Sequence, residues 1–222
     1  MSEKIEFSSV SFLLAMIIFV LFIWGFKEIA DKIAEQETLQ FDDRILQTFK
    51  KNYQSICSPD SNGIGNAVRD ITALGGYALL IIAVVISGGY FILTRNYAPA
   101  LHLFSVLSVG ALICNFLKVL FSKPRPDIEH AVYVASYSFP SGHSMMSAAV
   151  YLTLGVTLAS MEPLRPIKIY LLFISALLTM LVGLSRVYLG VHYPTDVLAG
   201  WLAGTVWALI CLLIAQTHRK DL

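Results

Sequence analysis

IYLLFISALLTMLVGLSRVYLGVHYPTD, residues 169–196, decides what kind of chain this is. From Ile169 to Ser185 it carries no Asp, Glu, Lys or Arg, and as a helix that run comes close to the roughly 20 residues that cross a bilayer core. Arg186 ends the run, and the polar turn behind it holds His192, Pro194 and Asp196. Working outward, five more stretches lack formal charge: Phe7 to Phe26, Ile71 to Thr94, Asn96 to Leu117, Ser144 to Met161 and Val197 to Thr217. With 56% hydrophobic residues in 222 and a mean hydropathy of +0.69, the chain is too apolar for an ordinary soluble domain of its length. The expected fold is all-α: a polytopic membrane bundle of six transmembrane helices near 7–26, 71–94, 96–120, 143–161, 167–185 and 194–217, forming one domain over 1–222.

The first run is longer than the apolar core of about 7 to 15 residues in a cleaved leader, and Gly25-Phe26-Lys27-Glu28 offers no small-x-small cleavage site, so it is read as a retained span. Between it and the second span lies a polar surface segment, 27–70, in which Phe41, Ile45, Leu46 and Phe49 recur at helical spacing beside Asp42, Asp43, Arg44, Lys50 and Lys51. Two readings stay open for it: an amphipathic helix on the membrane surface, or a solvated helix packed on neighbouring loops. Ser58 to Gly63 then reads as a turn.

A net charge of +1 and the lack of a basic run give no reason to expect nucleic acid. Cys114 and Cys211 fall inside spans and Cys57 in a loop, so they are read as packing residues rather than a disulfide or metal framework. Helices that alternate in direction put the loops 27–70, 121–140 and 186–194 on one face. Lys4, Arg95, Arg165, Lys168 and His218-Arg219-Lys220 lie on the other, which the positive-inside rule makes cytoplasmic. Both termini are therefore expected inside, in a plasma or inner membrane, with the polar loops facing outward.

Three clusters on that outward face carry the chemistry. Lys118 closes the third span, and Pro124 and Pro126 forbid further helix, leaving Arg125 in an extended turn. Pro140-Ser141-Gly142-His143 opens the fourth span, with Ser141 suited to N-cap it and Gly142 to let an anion approach the backbone N–H groups. Arg186 closes the fifth span; Pro194 suits the first turn of the sixth, where Asp196 can reach back to His192 and fix its tautomer. Three cations, two histidines, a carboxylate and a Ser-Gly helix start form an inventory for phosphoryl transfer that calls on no metal or other cofactor.

The clusters, in this order and spacing, resemble the signature of the type 2 phosphatidic acid phosphatase family of membrane lipid phosphatases, which shares its phosphate site with bacterial acid phosphatases, glucose-6-phosphatase and vanadium haloperoxidases. The resemblance covers Lys118 to Asp196 in motif and the whole chain in span layout. It implies that His192 is the nucleophile, forming a phosphohistidine, and that Asp196 orients it. It further implies that His143 protonates the leaving group and then activates water, while Lys118, Arg125, Arg186, the Ser141 hydroxyl and the Gly142 N–H hold the phosphoryl oxygens.

Other residues get plainer readings. His102 is expected to be a hydrogen-bonded packing residue, His218 part of the basic tail and His130 a solvated loop histidine. Lys123 is assigned to lipid headgroups, Trp201 and Trp207 to packing, and Tyr133, Tyr137 and Phe139 are candidate walls of the site. Helix mouths at headgroup depth make a lipid phosphate or diphosphate the natural partner, with phosphatidic acid, phosphatidylglycerol phosphate and undecaprenyl diphosphate all fitting. A lipid phosphotransferase on the same site, a haloperoxidase and a transporter lined by these polar residues are the rival readings. Oligomeric state is not encoded in these patterns.

Overall fold

Long charge-free runs satisfy their backbone hydrogen bonds most simply as helices, the one open form that needs no partner strand inside a bilayer. The computed structural model describes residues 9–35, 40–48, 63–126 and 136–220, with backbone alone over 9–12, 14–15 and 215–220, and among these every regular element is helical. In chain order they are α1 (Ser9–Ala34), α2 (40–48), α3 (Gly63–Ala73), α4 (Tyr77–Leu93), α5 (Tyr97–Phe121), α6 (Gly142–Met161), α7 (Arg165–Tyr188) and α8 (Pro194–Lys220). Helices α5, α6, α7 and the Pro194–Ile214 part of α8 are each long and apolar enough to cross a membrane. The pair α3 and α4, bent by 51°, makes a fifth candidate.

Two expected boundaries move. The first helix does not stop at Phe26 but runs on to Ala34, because Lys27 to Asp31 and Glu28 to Lys32 form ion pairs one turn apart that favour helix in water as well. The second expected span, 71–94, is broken: helix begins at Gly63, stops at Ala73 and restarts at Tyr77 beyond Gly75-Gly76. The amphipathic reading of 41–49 also changes. Phe41 points outward while Asp42 and Leu46, one turn apart, are buried, so α2 turns a carboxylate towards the protein. Cys57, His130, Tyr133, Lys4, Phe49, Lys50, Lys51 and the turn 58–62 lie outside the described residues, as does the side chain of His218.

Helix α6 is the hub, packing most extensively on α7 and α8. Small residues make this contact close. A Cβ on Gly204 would fall 2.2 Å from the Met145 carbonyl oxygen, and one on Gly200 2.8 Å from that of Ser141, so the start of α8 lies directly against the start of α6. Leu80, Val84, Leu103, Val106, Met145 and Met146 fill the layer between α4, α5 and α6. Phe26, Phe121 and Phe139 stack edge to face and tilted, tying α1 to the α5 end and to the segment before α6. Trp201 and Trp207 bridge helices by donating to Thr179 and Val106 carbonyls. His102 differs from expectation: its buried Nε2 has no hydrogen-bond partner.

Candidate active site

At the end of α5, Ser122 adopts a left-handed conformation (φ 44°) and its N–H returns to the Lys118 carbonyl, closing the helix ahead of Pro124 and Pro126. Lys118 lies buried with Nζ donating to the Tyr137 carbonyl at 2.6 Å. Arg125 folds back over the turn. Its Nε donates to the Ser136 carbonyl (2.7 Å), Nη1 to the Val191 carbonyl (2.6 Å) and Nη2 to Ser136 Oγ (3.1 Å). Lys118 and Arg125 line a cleft of about 670 Å³ whose other walls are Asn115, Val119, Pro124 and Ser136-Tyr137.

Ser141 N-caps α6, its Oγ accepting from the N–H (3.5 Å) and hydroxyl (3.0 Å) of Ser144. A hydroxyl so engaged keeps its own proton to donate. The Ser141 N–H binds the Asp196 carbonyl at 3.0 Å, joining the second cluster to the third. Gly142 faces the lysine: a Cβ there would sit 3.6 Å from Lys118 Cε.

Helix α7 ends in a Schellman turn, with the Gly190 N–H on the Val187 carbonyl and the Val191 N–H on the Arg186 carbonyl. The turn needs φ = 68° at Gly190, a conformation that costs other residues a Cβ clash. It delivers His192, almost fully buried, against Arg125 and Asp196. Arg125 Nη1 approaches His192 Nε2 at 3.2 Å. A guanidinium can only donate, so Nε2 bears the lone pair and Nδ1 the proton. That N–H lies 3.4 Å from Ser138 Oγ and 3.6 Å from Asp196 Oδ2. Burial first, then Arg186 and Arg125, outweigh the opposing pull of Asp196 and hold the His192 pKa down to about 3, keeping the imidazole neutral.

Arg186 is the third cation. It is buried, donates from Nη1 to Thr72 Oγ1 (3.1 Å), and has no partner for Nε. Thr72 comes from the end of α3, just before the break, and the same break lays Gly75 and Gly76 against His143. Lys118, Arg125 and Arg186 all lie within electrostatic range of His143. Thus all eight expected residues, Lys118, Arg125, Ser141, Gly142, His143, Arg186, His192 and Asp196, are brought to one end of the α5–α8 group.

Sequence reasoning missed four supporting side chains. Ser138 donates to Asp196 Oδ2 and stands between that carboxylate and His192. Thr72 holds Arg186. Lys123, expected among lipid headgroups, is instead buried and bound to Asp196 Oδ1 at 2.9 Å, because the Pro124 turn swings it inward. Asp42 of α2 reaches the same lysine at 3.4 Å. A carboxylate three and four residues ahead of Ile45 and Leu46, and so on their helix face, was the available signal for Asp42; Ser138 and Thr72 had none. Of the candidate walls, Tyr137 contributes its carbonyl to Lys118, and Phe139 is core rather than wall.

A bundle of apolar helices that gathers three cations and two histidines at one end has the makings of a site for a phosphate ester at a membrane. The chain belongs to the PAP2 superfamily, whose family model matches residues 99–220. It is 37% identical over 142 residues to phosphatidylglycerophosphatase B of Bacillus subtilis, covering 64% of this chain and 70% of that protein. To the lipid A 1-phosphatase of Rhizobium etli it is 30% identical over 168 residues, 65% of this chain and 68% of the relative. The crystal structure of a transmembrane PAP2 type phosphatidylglycerolphosphate phosphatase from Bacillus subtilis superposes with a TM-score of 0.80 at 30% identity, over 90% of this chain and 96% of the other.

Proposed function

We propose that this protein hydrolyses a lipid phosphate or diphosphate, of the phosphatidylglycerol phosphate, phosphatidic acid or undecaprenyl diphosphate type, through a phosphohistidine on His192. The observation that supports this most directly is the His192 ring: Nε2 is turned to the Arg125 guanidinium at 3.2 Å while Nδ1 is backed by Ser138 and Asp196. A phosphate arriving among Lys118, Arg125, Arg186, the Ser141 hydroxyl and the Gly142 N–H draws Arg125 onto its oxygens and uncovers the Nε2 lone pair. Nε2 then attacks phosphorus and the P–O bond to the leaving group breaks. His143 supplies the proton that the leaving alkoxide or phosphate takes. In the second half His143 accepts a proton from water, whose oxygen attacks phosphorus. The P–N bond breaks, releasing inorganic phosphate and the neutral imidazole.

Three fixed cations neutralise the phosphoryl oxygens directly, so excess chelator leaves the rate unchanged. Counting α1 and the bent α3–α4 pair as crossings gives six spans, with both termini cytoplasmic and the site at the outer surface. A lipid then keeps its chains in the bilayer while its phosphate enters the cleft beside Lys118. The test is phosphate release by purified protein from a panel of lipid phosphates and diphosphates, with acid-labile phosphate sought on the quenched enzyme. Loss of both in His192→Ala is the expected result; robust turnover by that variant overturns the assignment. Appearance of a phosphorylated alcohol instead of free phosphate identifies the phosphotransferase.

A further inference from the structure

Among the described residues, one group of buried charge is left over outside those assigned to the phosphate. Asp42 is fully buried, yet it belongs to the segment between the first two hydrophobic runs, far from the motif clusters in sequence. Its Oδ1 accepts the Thr195 N–H at 3.1 Å, and its Oδ2 accepts the Thr195 hydroxyl at 2.6 Å. Lys123 Nζ then bridges Asp42 Oδ2 (3.4 Å) to Asp196 Oδ1 (2.9 Å), also touching Thr195 Oγ1 (3.3 Å) and lying 4.3 Å from the centroid of the Tyr193 ring. Burial raises the Asp42 pKa above its ordinary value, and the Thr195 donors and Lys123 oppose that rise.

We infer that Asp42 is a positioning residue for the His192–Asp196 pair, acting through Lys123 and Thr195. The inference rests on the phosphohistidine reading above. One ammonium shared by two carboxylates leaves the group with one net negative charge, directed at His192 through Asp196. That charge matters as the P–N bond forms, because the ring retains its Nδ1 proton and becomes cationic. Without Asp42 the whole of the lysine's charge falls on Asp196, and the carboxylate stabilises the cationic ring less. Asp42 also holds the first turn of α8, on which Asp196 rides, by accepting the otherwise unpaired Thr195 N–H. Leu46, buried one turn along α2, fixes that helix in place.

Charge predicts a reversal of sign that simple packing does not. In an otherwise native protein Asp42→Asn weakens the pair, whereas Lys123→Met leaves two buried carboxylates with no cation between them, and Asp42→Asn then relieves the damage. The experiment measures kcat and KM on a short-chain lipid phosphate in detergent, with a thermal melt for every variant and His192→Ala as the control. Asp42→Asn is expected to lower kcat by about 10- to 100-fold, the scale for groups that orient a functional histidine, with KM unchanged or lower because a negative charge near the anion site has gone. Asp42→Glu restores most of the loss. Lys123→Met is the slower single variant, and the double variant Asp42→Asn/Lys123→Met outpaces it by about fivefold or more.

A native kcat in Asp42→Asn overturns the inference, as does a double variant no faster than Lys123→Met. If Asp42→Asn alone does not melt cooperatively, the comparison of Lys123→Met with the double variant decides by itself. An active His192→Ala protein counts instead against the phosphohistidine reading, so the two failures are distinguishable.

Discussion

Replacing Arg186 with Met tests the phosphate site through two quantities that are expected to move independently. Arg186 is buried, its Nη1 donates to Thr72, and its Nε has no hydrogen-bond partner. On the proposed reading, a phosphoryl oxygen is the acceptor that Nε takes. Removing one such donor costs about 3 to 4 kcal/mol of transition-state stabilisation, hence a fall of roughly 10²- to 10³-fold in kcat/KM. Stability moves differently. The substitution removes a buried N–H whose lack of a partner costs about 1 to 3 kcal/mol and loses one hydrogen bond to Thr72 worth about 1, so the empty variant melts at or above the native temperature.

Orthovanadate supplies the second readout. At about 100 times its dissociation constant it stabilises the native protein by roughly 2.7 kcal/mol, about 5 to 10 °C for a chain of this size. A site weakened 100-fold or more gains less than about 0.5 kcal/mol at that concentration, a shift of no more than about 2 °C. Differential scanning fluorimetry in detergent, beside phosphate release from dioctanoyl phosphatidic acid, reads both. A variant within threefold of native activity, or one that melts early yet keeps the full vanadate shift, refutes the assignment of Arg186 to the phosphate.

Other expectations follow from the same geometry. His192 has a folded pKa near 3 against about 6.5 in an unfolded chain, so its stabilising contribution is present above pH 6.5 and is lost as pH falls towards 3. The native melting temperature should therefore drop more between pH 7.5 and 4.5 than that of His192→Gln; equal drops contradict the buried neutral ring. Gly190→Ala forces a Cβ into the left-handed turn and should cost about 1 kcal/mol or more while lowering kcat through a displaced His192, measured by melts and turnover together. Gly204→Val drives a side chain into the Met145 carbonyl and should abolish a cooperative melt, whereas Gly89→Ala, with nothing within 4 Å of the new Cβ, should leave it unchanged. Asp196→Asn keeps its shape but loses the charge facing Lys123 and His192, and should slow turnover less than His192→Ala does in the same phosphate-release assay.

Most of the candidate site was legible because its residues sit where helices must stop. Pro124, Pro126 and Pro194 cannot continue a helix as ordinary residues do, and a cation beside such a stop is readable from local rules alone. The supporting groups obey no local rule. Asp42 meets Thr195 across 153 positions and Lys123 across 81, distances over which spacing carries no information. Thr72 was hidden differently, inside an apolar run that reads as one span and is two helices with a 51° bend. Periodicity finds the apolar face of a helix; it does not reveal that Gly75-Gly76 will break one to press backbone against His143.

The Ser141 N–H on the Asp196 carbonyl, with Gly200 and Gly204 pressed on α6, joins the starts of α6 and α8 along one side of the candidate site. Asn115 and Val119 are exposed on α5, three residues before Lys118 and one after it, and line the cleft together with Lys118 and Arg125. On the proposed reading, a headgroup whose phosphate lies beside Lys118 and Arg125 meets Asn115 and Val119 in the same cleft. Substituting Asn115 or Val119 is expected to change which lipid phosphate is turned over fastest while leaving the packing of α8 on α6 in place, as phosphate release from a lipid panel and a thermal melt would read.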